Sequence, residues 1–340
     1  MPDSKRFLLA ITMGDPAGIG AEIILKAANK PEWEKYCHPV VIGDRRILER
    51  ALQWEAYKNL KVAISDYNPQ SLFKRNRINL VHLGVADPGE CKVGKLSLSS
   101  GKAAVRFVEH ACQMAMKGEV AGIVTAPLNK EAMHLAGYAF AGHTELLKEL
   151  TNAKNVKMML VGKNLRVVHN STHLALSEAI RLVTKDNVLN TIRFAQKGCL
   201  SLGITNPRIA VAGLNPHAGE SGLFGHEEQD HIIPALQVAR AEGLNVFGPL
   251  PPDTAFLRAS KSEFDIVVAM YHDQGHIPIK MLDFVGGVNI TFGLPIIRTS
   301  VDHGTAFNIA GKGIASEKSL LMAIKLASLL VKNRELVHWG

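Results

Sequence analysis

The stretch Val267-Val-Ala-Met-Tyr-His-Asp-Gln-Gly-His-Ile-Pro-Ile-Lys280 decides how the chain is read. An apolar run from Ile266 to Met270 has the length and composition of a buried strand, and it delivers Tyr271, His272, Asp273 and Gln274 into what should be a loop. In open α/β folds, chemistry sits at the carboxyl ends of strands, where backbone and side chains converge on a crevice. An imidazole, a carboxylate, an amide and Lys280 in such close succession are more polar function than a turn requires. Any one histidine here is ordinarily a hydrogen-bonded surface residue; the clustering points to a site.

Working outward, the same pattern of apolar run followed by a polar end recurs. Phe7 to Met13 leads into Gly14-Asp-Pro-Ala-Gly-Ile-Gly20 and then into Ala21 to Ala28, which has helical spacing. Val120 to Val124 runs into Thr125-Ala-Pro-Leu-Asn-Lys130, and Leu165 to Val168 into His169-Asn-Ser-Thr-His-Leu174. Arg208 to Ala212 runs into Gly213-Leu-Asn-Pro-His-Ala-Gly-Glu220, and the segment from Asn245 ends near Asp253. Strands alternating with helices throughout indicate an α/β protein with a largely parallel sheet. A long helix is expected from Gly101 to about Lys117, capped by Ser99 or Ser100. The glycines at 14, 18 and 20 match neither the dinucleotide fingerprint nor a Walker loop, and a tight structural turn is the plainer reading. Gly89-Glu-Cys-Lys-Val-Gly-Lys95 has the outline of a phosphate loop, but Leu96 stands where Ser or Thr must hold magnesium.

The chain has 340 residues, 47% of them hydrophobic and only 21% charged, which suits a globular enzyme and excludes a disordered or fibrous chain. Its net charge of +8 suits an anionic ligand, yet the basic residues are spread along the sequence rather than gathered into a stripe with aromatics. A small phosphorylated or carboxylated molecule is therefore expected, with neither nucleic acid nor membrane as partner. Cys37, Cys91, Cys112 and Cys199 form no C-x-x-C pair and read as reduced, buried thiols of a cytoplasmic protein. Lys5-Arg6 before the apolar Phe7 to Met13 superficially resembles a signal peptide, but the run is short and ends in Gly-Asp-Pro, so a buried first strand is expected instead.

Three of the strand ends each supply one histidine: His173, His217 and His272. Imidazoles gathered from separate loops are the ordinary way to hold zinc or a similar metal with positions open for substrate; magnesium would call for carboxylates. Spacing alone leaves open whether the three converge or remain separate loop residues. Lys280, Asn289 and Arg298 follow on neighbouring strand ends, where lysine offers a charge or a proton and arginine a planar fork for carboxylate or phosphate. His143 and Thr144 stand at a helix start suited to an anion, with Thr144 expected as a cap.

Taken together, Gly14-Asp-Pro-Ala-Gly-Ile-Gly20, Thr125 to Lys130, Gly142-His-Thr-Glu145, Ser171-Thr-His-Leu174, Gly213 to Glu220, Tyr271-His-Asp-Gln-Gly275 and Gly293 to Ala306 resemble the 4-hydroxythreonine-4-phosphate dehydrogenase (PdxA) family of vitamin B6 biosynthesis. The motifs extend over essentially the whole chain. The resemblance implies a two-domain fold like isocitrate and isopropylmalate dehydrogenases, which bind NAD without the usual glycine fingerprint. Residues 1–135 with 300–340 would form a discontinuous first domain and 136–299 a second. It also implies a homodimer with the active site at the subunit interface, His173 and His217 of one subunit and His272 of the other holding a divalent metal. Zinc is expected, with magnesium, cobalt or nickel as alternatives, and NAD rather than NADP. His143, Thr144, Lys280, Asn289 and Arg298 match the family's substrate-binding positions. The implied chemistry is oxidation of a 4-phosphorylated hydroxy acid followed by decarboxylation, with Lys280 or Asp253 taking the hydroxyl proton.

Two departures bear on the substrate. Ala21 replaces the usual proline, and His276 in Gly275-His-Ile-Pro-Ile-Lys280 is closer to the paralogous branch acting on 4-phospho-D-threonate or 4-phospho-D-erythronate. From other classes, a metal-dependent lyase or hydrolase of a phosphorylated small molecule would use the same histidines without a nicotinamide, and a pure binding protein would need no turnover.

Overall fold

A computed structural model describes residues 6–70, 73 and 77–337. The chain begins with β1 (Leu8–Thr12), α1 (Gly20–Ala28), β2 (His38–Gly43), α2 (Arg45–Leu52), β3 (Ala63–Asp66), β4 (Arg77–His82), α3 (Leu98–Met116), β5 (Gly122–Thr125), α4 (Lys130–Leu135) and α5 (His143–Leu150). A second set follows: β6 (Lys157–Val161), β7 (Arg166–His169), α6 (Leu176–Arg181), α7 (Lys185–Ser201), β8 (Ile209–Ala212), α8 (Ile233–Ala241), β9 (Val246–Leu250), α9 (Pro252–Ser260), β10 (Ile266–Ala269), α10 (His272–Leu282) and β11 (Val288–Phe292). The chain then closes with β12 (Arg298–Val301) and α11 (Lys318–Lys332).

Two compact units result, Met1–Val156 with Gly293–Val331 and Lys157–Phe292 with Lys332–Gly340. The crossings between the units fall at 156/157, 292/293 and 331/332, where the sequence reading put them at 135/136 and 299/300. The physical reason lies in strand pairing. Arg298 is registered against Ile123 of β5 in the first unit, and α5 precedes the first strand of the second. His143, Thr144 and Arg298 therefore belong to the first unit, not the second.

In the first unit the strands run β3-β4-β2-β1-β5-β12, all parallel, with Ala10 of β1 flanked by Val40 and Ile123. Leu9, Ala10 and Ile11 are wholly buried, the continuous apolar run expected of a parallel strand covered on both faces. Removing a Leu or Ile side chain of this kind from water contributes about 1.5–3 kcal/mol. Helix α3 packs on β1, β2 and β5 and begins earlier than expected, because Ser97, not Ser99 or Ser100, is its cap and accepts from the Ser100 N–H. Gly101 lets α3 lie against α4, since a Cβ there would stand 2.0 Å from the Ala132 carbonyl oxygen.

In the second unit the order is β11-β6-β7-β10-β8-β9, with β6 antiparallel to both its neighbours and the other pairs parallel. Leu160, Val167, Ala210 and Val267 of the strands pack with Phe256 and Phe264 in and beside α9 and with Ile279 of α10. The expected loop after β10 is instead helix α10, which begins at His272 and contains Pro278. Gly275 and Pro278 look like breakers in sequence, but buried Ile279 anchors the segment and that tertiary contact overrides their low helix propensity. All four cysteines are free and buried, as expected.

Candidate active site

The candidate residues fall into two sets, one on each unit. On the first, Arg298 opens β12, is only 2% exposed, and donates from Nη2 to the Thr125 hydroxyl at 2.8 Å. Burial pushes its guanidinium down to about 10, against the opposing charge of Glu145. His143 is the first residue of α5, preceded by Gly142. Its Nε2 is enclosed without a hydrogen-bond partner among the described residues. Burial, with the positive charges of Arg298 and Lys130 adding to it, holds the imidazole well below its ordinary range, so the ring is neutral at neutral pH. Thr144 is the second helical residue and not the cap, a place taken by Gly142. A guanidinium, a neutral imidazole and the free N–H groups of a helix start together suit a phosphate or carboxylate.

The second set stands at the ends of β7 and β10, which are parallel neighbours with Ala269 opposite His169. Beyond these ends the chain places the rings of His173 and His272 5.6 Å apart, in a pocket also lined by Ser171, Tyr271 and Asp273. Metal–nitrogen bonds of about 2 Å in a tetrahedral shell put two ligating imidazoles roughly 5 Å apart, so this pair is spaced for one cation. Asp273 Oδ1 lies 2.6 Å from His272 Nδ1, the arrangement that orients a ligating histidine and leaves Nε2 for the ion. His276, one helical turn on, stacks on His272 at 3.6 Å between ring centroids and bonds its carbonyl through Nδ1 at 3.2 Å.

His217 lies in a different pocket of the same unit, with Glu220, Ser221, Gln229, Pro249 and Pro251. Within one chain the rings of His173 and His272 are neighbours, and His217 stands in the other pocket. No group of three or more His, Cys, Asp or Glu among the described residues stands ready to hold a metal. The backbone around His217 is unusual: His217, Ala218, Gly219, Glu220 and Ser221 have φ of 53°, 55°, 82°, 42° and 58°. Left-handed backbone costs each residue bearing a Cβ about 1–2 kcal/mol, so the surrounding structure must hold this turn in place. Gln274 links the two loops, accepting from Met270 N and donating to the Gly213 carbonyl at 2.8 Å.

Lys280 is half-buried, with Nζ 5.8 Å from the Phe284 ring centroid. It lies at i+8 from His272 and i+4 from His276, on the same face of α10. Asn289 sits in β11 with an enclosed Oδ1, whereas Asp253 is exposed in the first turn of α9. The glycine loop after β1 is a structural turn. A Cβ at Gly14 would meet the Pro127 carbonyl oxygen at 2.2 Å and one at Gly20 that of Met13 at 2.0 Å, while Asp15 Oδ1 closes the turn on Ala17 N. Those glycines answer to protein backbone.

Sequence reasoning missed His169 and Glu228. His169 is 2% exposed, both ring nitrogens lack hydrogen-bond partners among the described residues, and burial beside His276 and His272 keeps it well below the ordinary imidazole range. Gly275 makes room for it, since a Cβ there would lie 2.5 Å from its Nε2. Its position as the last residue of β7 was the signal available.

A profile of the family described as pyridoxal phosphate biosynthetic protein PdxA matches residues 35–327. The D-threonate 4-phosphate dehydrogenase of Cupriavidus necator is 49% identical over 328 residues, 96% of this chain and 98% of that protein. The crystal structure of 4-hydroxythreonine-4-phosphate dehydrogenase from Klebsiella pneumoniae is 44% identical, with a TM-score of 0.83 over 96% of this chain and 99% of that one. A β-decarboxylating dehydrogenase from Thermococcus kodakarensis, 14% identical with a TM-score of 0.51, shares the fold.

Proposed function

The chain belongs to the PdxA family of dehydrogenases, and from that premise we propose that it oxidises a 4-phosphorylated hydroxy acid with NAD in a divalent-metal-dependent reaction that ends in decarboxylation. The observation that carries the metal-dependent reading is the spacing of His173 and His272, with Asp273 orienting the latter. His173, His217 and His272 make up the ligand set, shared between the two subunits of a homodimer, with zinc as the cation.

The exposed residues Ile277, Met281, Leu282, Phe284 and Val285 crowd one short segment after His272, and Leu223 and Phe224 follow His217. Apolar surface concentrated beside both ligand loops supports a homodimer.

We assign Arg298, His143 and Thr144 to the phosphate or carboxylate of the substrate, and Lys280 and Asn289 to substrate binding as a charge and an amide. The neutral His143 can donate to a substrate oxygen without adding a second charge beside Arg298. Lys280 is the first choice for the hydroxyl proton because it shares the α10 face of His272, whereas Asp253 is exposed on another helix. When bound, the cation would stabilise negative charge on the substrate oxygen and NAD would accept the hydride.

The C. necator relative and His276 favour 4-phospho-D-threonate as substrate over 4-phosphohydroxy-L-threonine. A side-by-side assay of these two and 4-phospho-D-erythronate, comparing kcat/KM and following NADH, tests the reading. Turnover of a phosphorylated hydroxy acid without stoichiometric NADH would favour a lyase or hydrolase instead. Comparable slow rates on all three would place the substrate outside this class.

A further inference from the structure

The left-handed run from His217 to Ser221 has an internal support that lies outside every residue role assigned above. Glu228 is 2% exposed and opens a single π-helical turn, Glu228–Ile232. Its Oε1 accepts from Leu214 N at 2.7 Å and Asn215 N at 2.8 Å, and its Oε2 accepts from Asn215 Nδ2 at 2.9 Å. The carboxylate occupies the middle of the loop. A Cβ on Gly213 would stand 3.1 Å from Oε1, and one on Gly219 would stand 2.7 Å from Oε2. Asn215 is held a second time by Glu227 Oε2 at 2.7 Å, and its carbonyl receives Ala218 N at 3.1 Å, at the start of the left-handed turn.

A buried carboxylate carries its desolvation cost only where hydrogen bonds replace the lost water, and here the three donors just named belong to the two residues leading into the Pro216-His217 turn. Single-turn π-helices recur at functional sites, where the extra residue re-aims a side chain. We propose that Glu228 is a positioning residue: it clamps Leu214 and Asn215 so that the backbone can pass through the left-handed turn and aim the His217 imidazole. This rests on the reading of His217 as a cation ligand. Glu228 itself touches neither cation nor substrate.

The test uses the full-length protein, as wild type and as E228A, E228Q and H217A, with hydrogen exchange over residues 213–224 and titration with Co²⁺. E228A strips both backbone N–H groups of their acceptor, and it is expected to raise exchange in that segment at least tenfold. Co²⁺ affinity should fall about 10- to 100-fold, as when other groups that orient metal ligands are removed. E228Q keeps one acceptor oxygen but turns a donor toward Asn215 Nδ2. It should give a smaller loss of Co²⁺ affinity at an unchanged melting temperature, which a general loss of stability would not produce. Where E228A fails to fold, E228Q carries the test. Wild-type exchange and wild-type Co²⁺ affinity in the folded glutamate variants would overturn the proposal. H217A should lose affinity without faster exchange; if it binds Co²⁺ as wild type does, the assignment of His217 as a ligand falls, and the exchange measurement alone judges Glu228.

Discussion

Arg298 and Thr125 meet through a 2.8 Å hydrogen bond between the paired strands β12 and β5, and this fixes a guanidinium that is only 2% exposed. Burial has already lowered its affinity for a proton to about 10, so the folded chain sacrifices stability to keep a cation there. Arg298→Met is expected to raise the KM for a phosphorylated substrate by about two orders of magnitude while leaving the melting temperature equal or higher. Steady-state kinetics and calorimetry on the same preparation check it. A large fall in melting temperature with KM unchanged would make Arg298 a structural residue.

Asp15 presents the opposite sign of dependence on pH from an ordinary ion-paired carboxylate. It is wholly buried, Oδ2 has no hydrogen-bond partner among the described residues, and burial raises its carboxyl to about 6, with the Ala17 N–H and Ser100 working against the rise. Because the folded value lies above the unfolded one, the neutral acid favours folding. Its contribution is complete below the unfolded value of 3.8 and is lost as pH rises through about 6. Asp15→Asn keeps the acceptor for Ala17 N and removes the charge. At pH 8 it should stabilise the protein by up to about 3 kcal/mol, two pKa units' worth, and by about pH 3 the difference should vanish. Denaturant melts at the two pH values measure this, and a constant difference would show that ionisation of Asp15 is not the cause.

The extent to which the sequence discloses this fold follows from which signals are local. Buried parallel strands announce themselves as apolar runs, so β1, β7, β8 and β10 are readable within a residue or two, as are the polar strand ends that carry His173, His217 and His272. Helix α10 is not readable, because Gly275 and Pro278 signal a loop and only the burial of Ile279 and the approach of His169 to Gly275 explain why a helix forms. The pairing of His173 with His272 depends on β7 and β10 being neighbours, and strand order cannot be counted from spacing. Glu228 escapes notice because a glutamate near the start of a helical segment reads as a solvated charge, and its burial is a property of the loop folded over it.

Asp273 offers a direct test of the cation reading. Its carboxylate faces His272 Nδ1 at 2.6 Å and is itself exposed, so its replacement should leave folding intact. Asp273→Asn should weaken divalent-cation affinity about 10- to 100-fold and reduce turnover at limiting metal, with activity restored when metal is added in excess. Cation titration of the metal-stripped protein reads the first effect. Equal affinity in variant and wild type would remove His272 from the ligand set.

Met281 and Phe284, 82% and 75% exposed, carry the case for a second copy of the chain. Side chains of this size so fully in water, beside Ile277, Leu282 and Val285, are costly in a monomer and ordinary at a dimer contact. If the partner subunit covers this segment, Phe284→Glu places a charge in a dry interface and should shift the protein toward monomers in sedimentation at micromolar concentration. Turnover should fall with it, because a monomer cannot complete a ligand set shared between two copies. Adding more protein should restore both dimer and turnover together, since mass action opposes the lesion. A variant that sediments as a monomer yet turns over at the wild-type rate would show that one chain holds the whole reaction, and would remove the shared ligand set from the account.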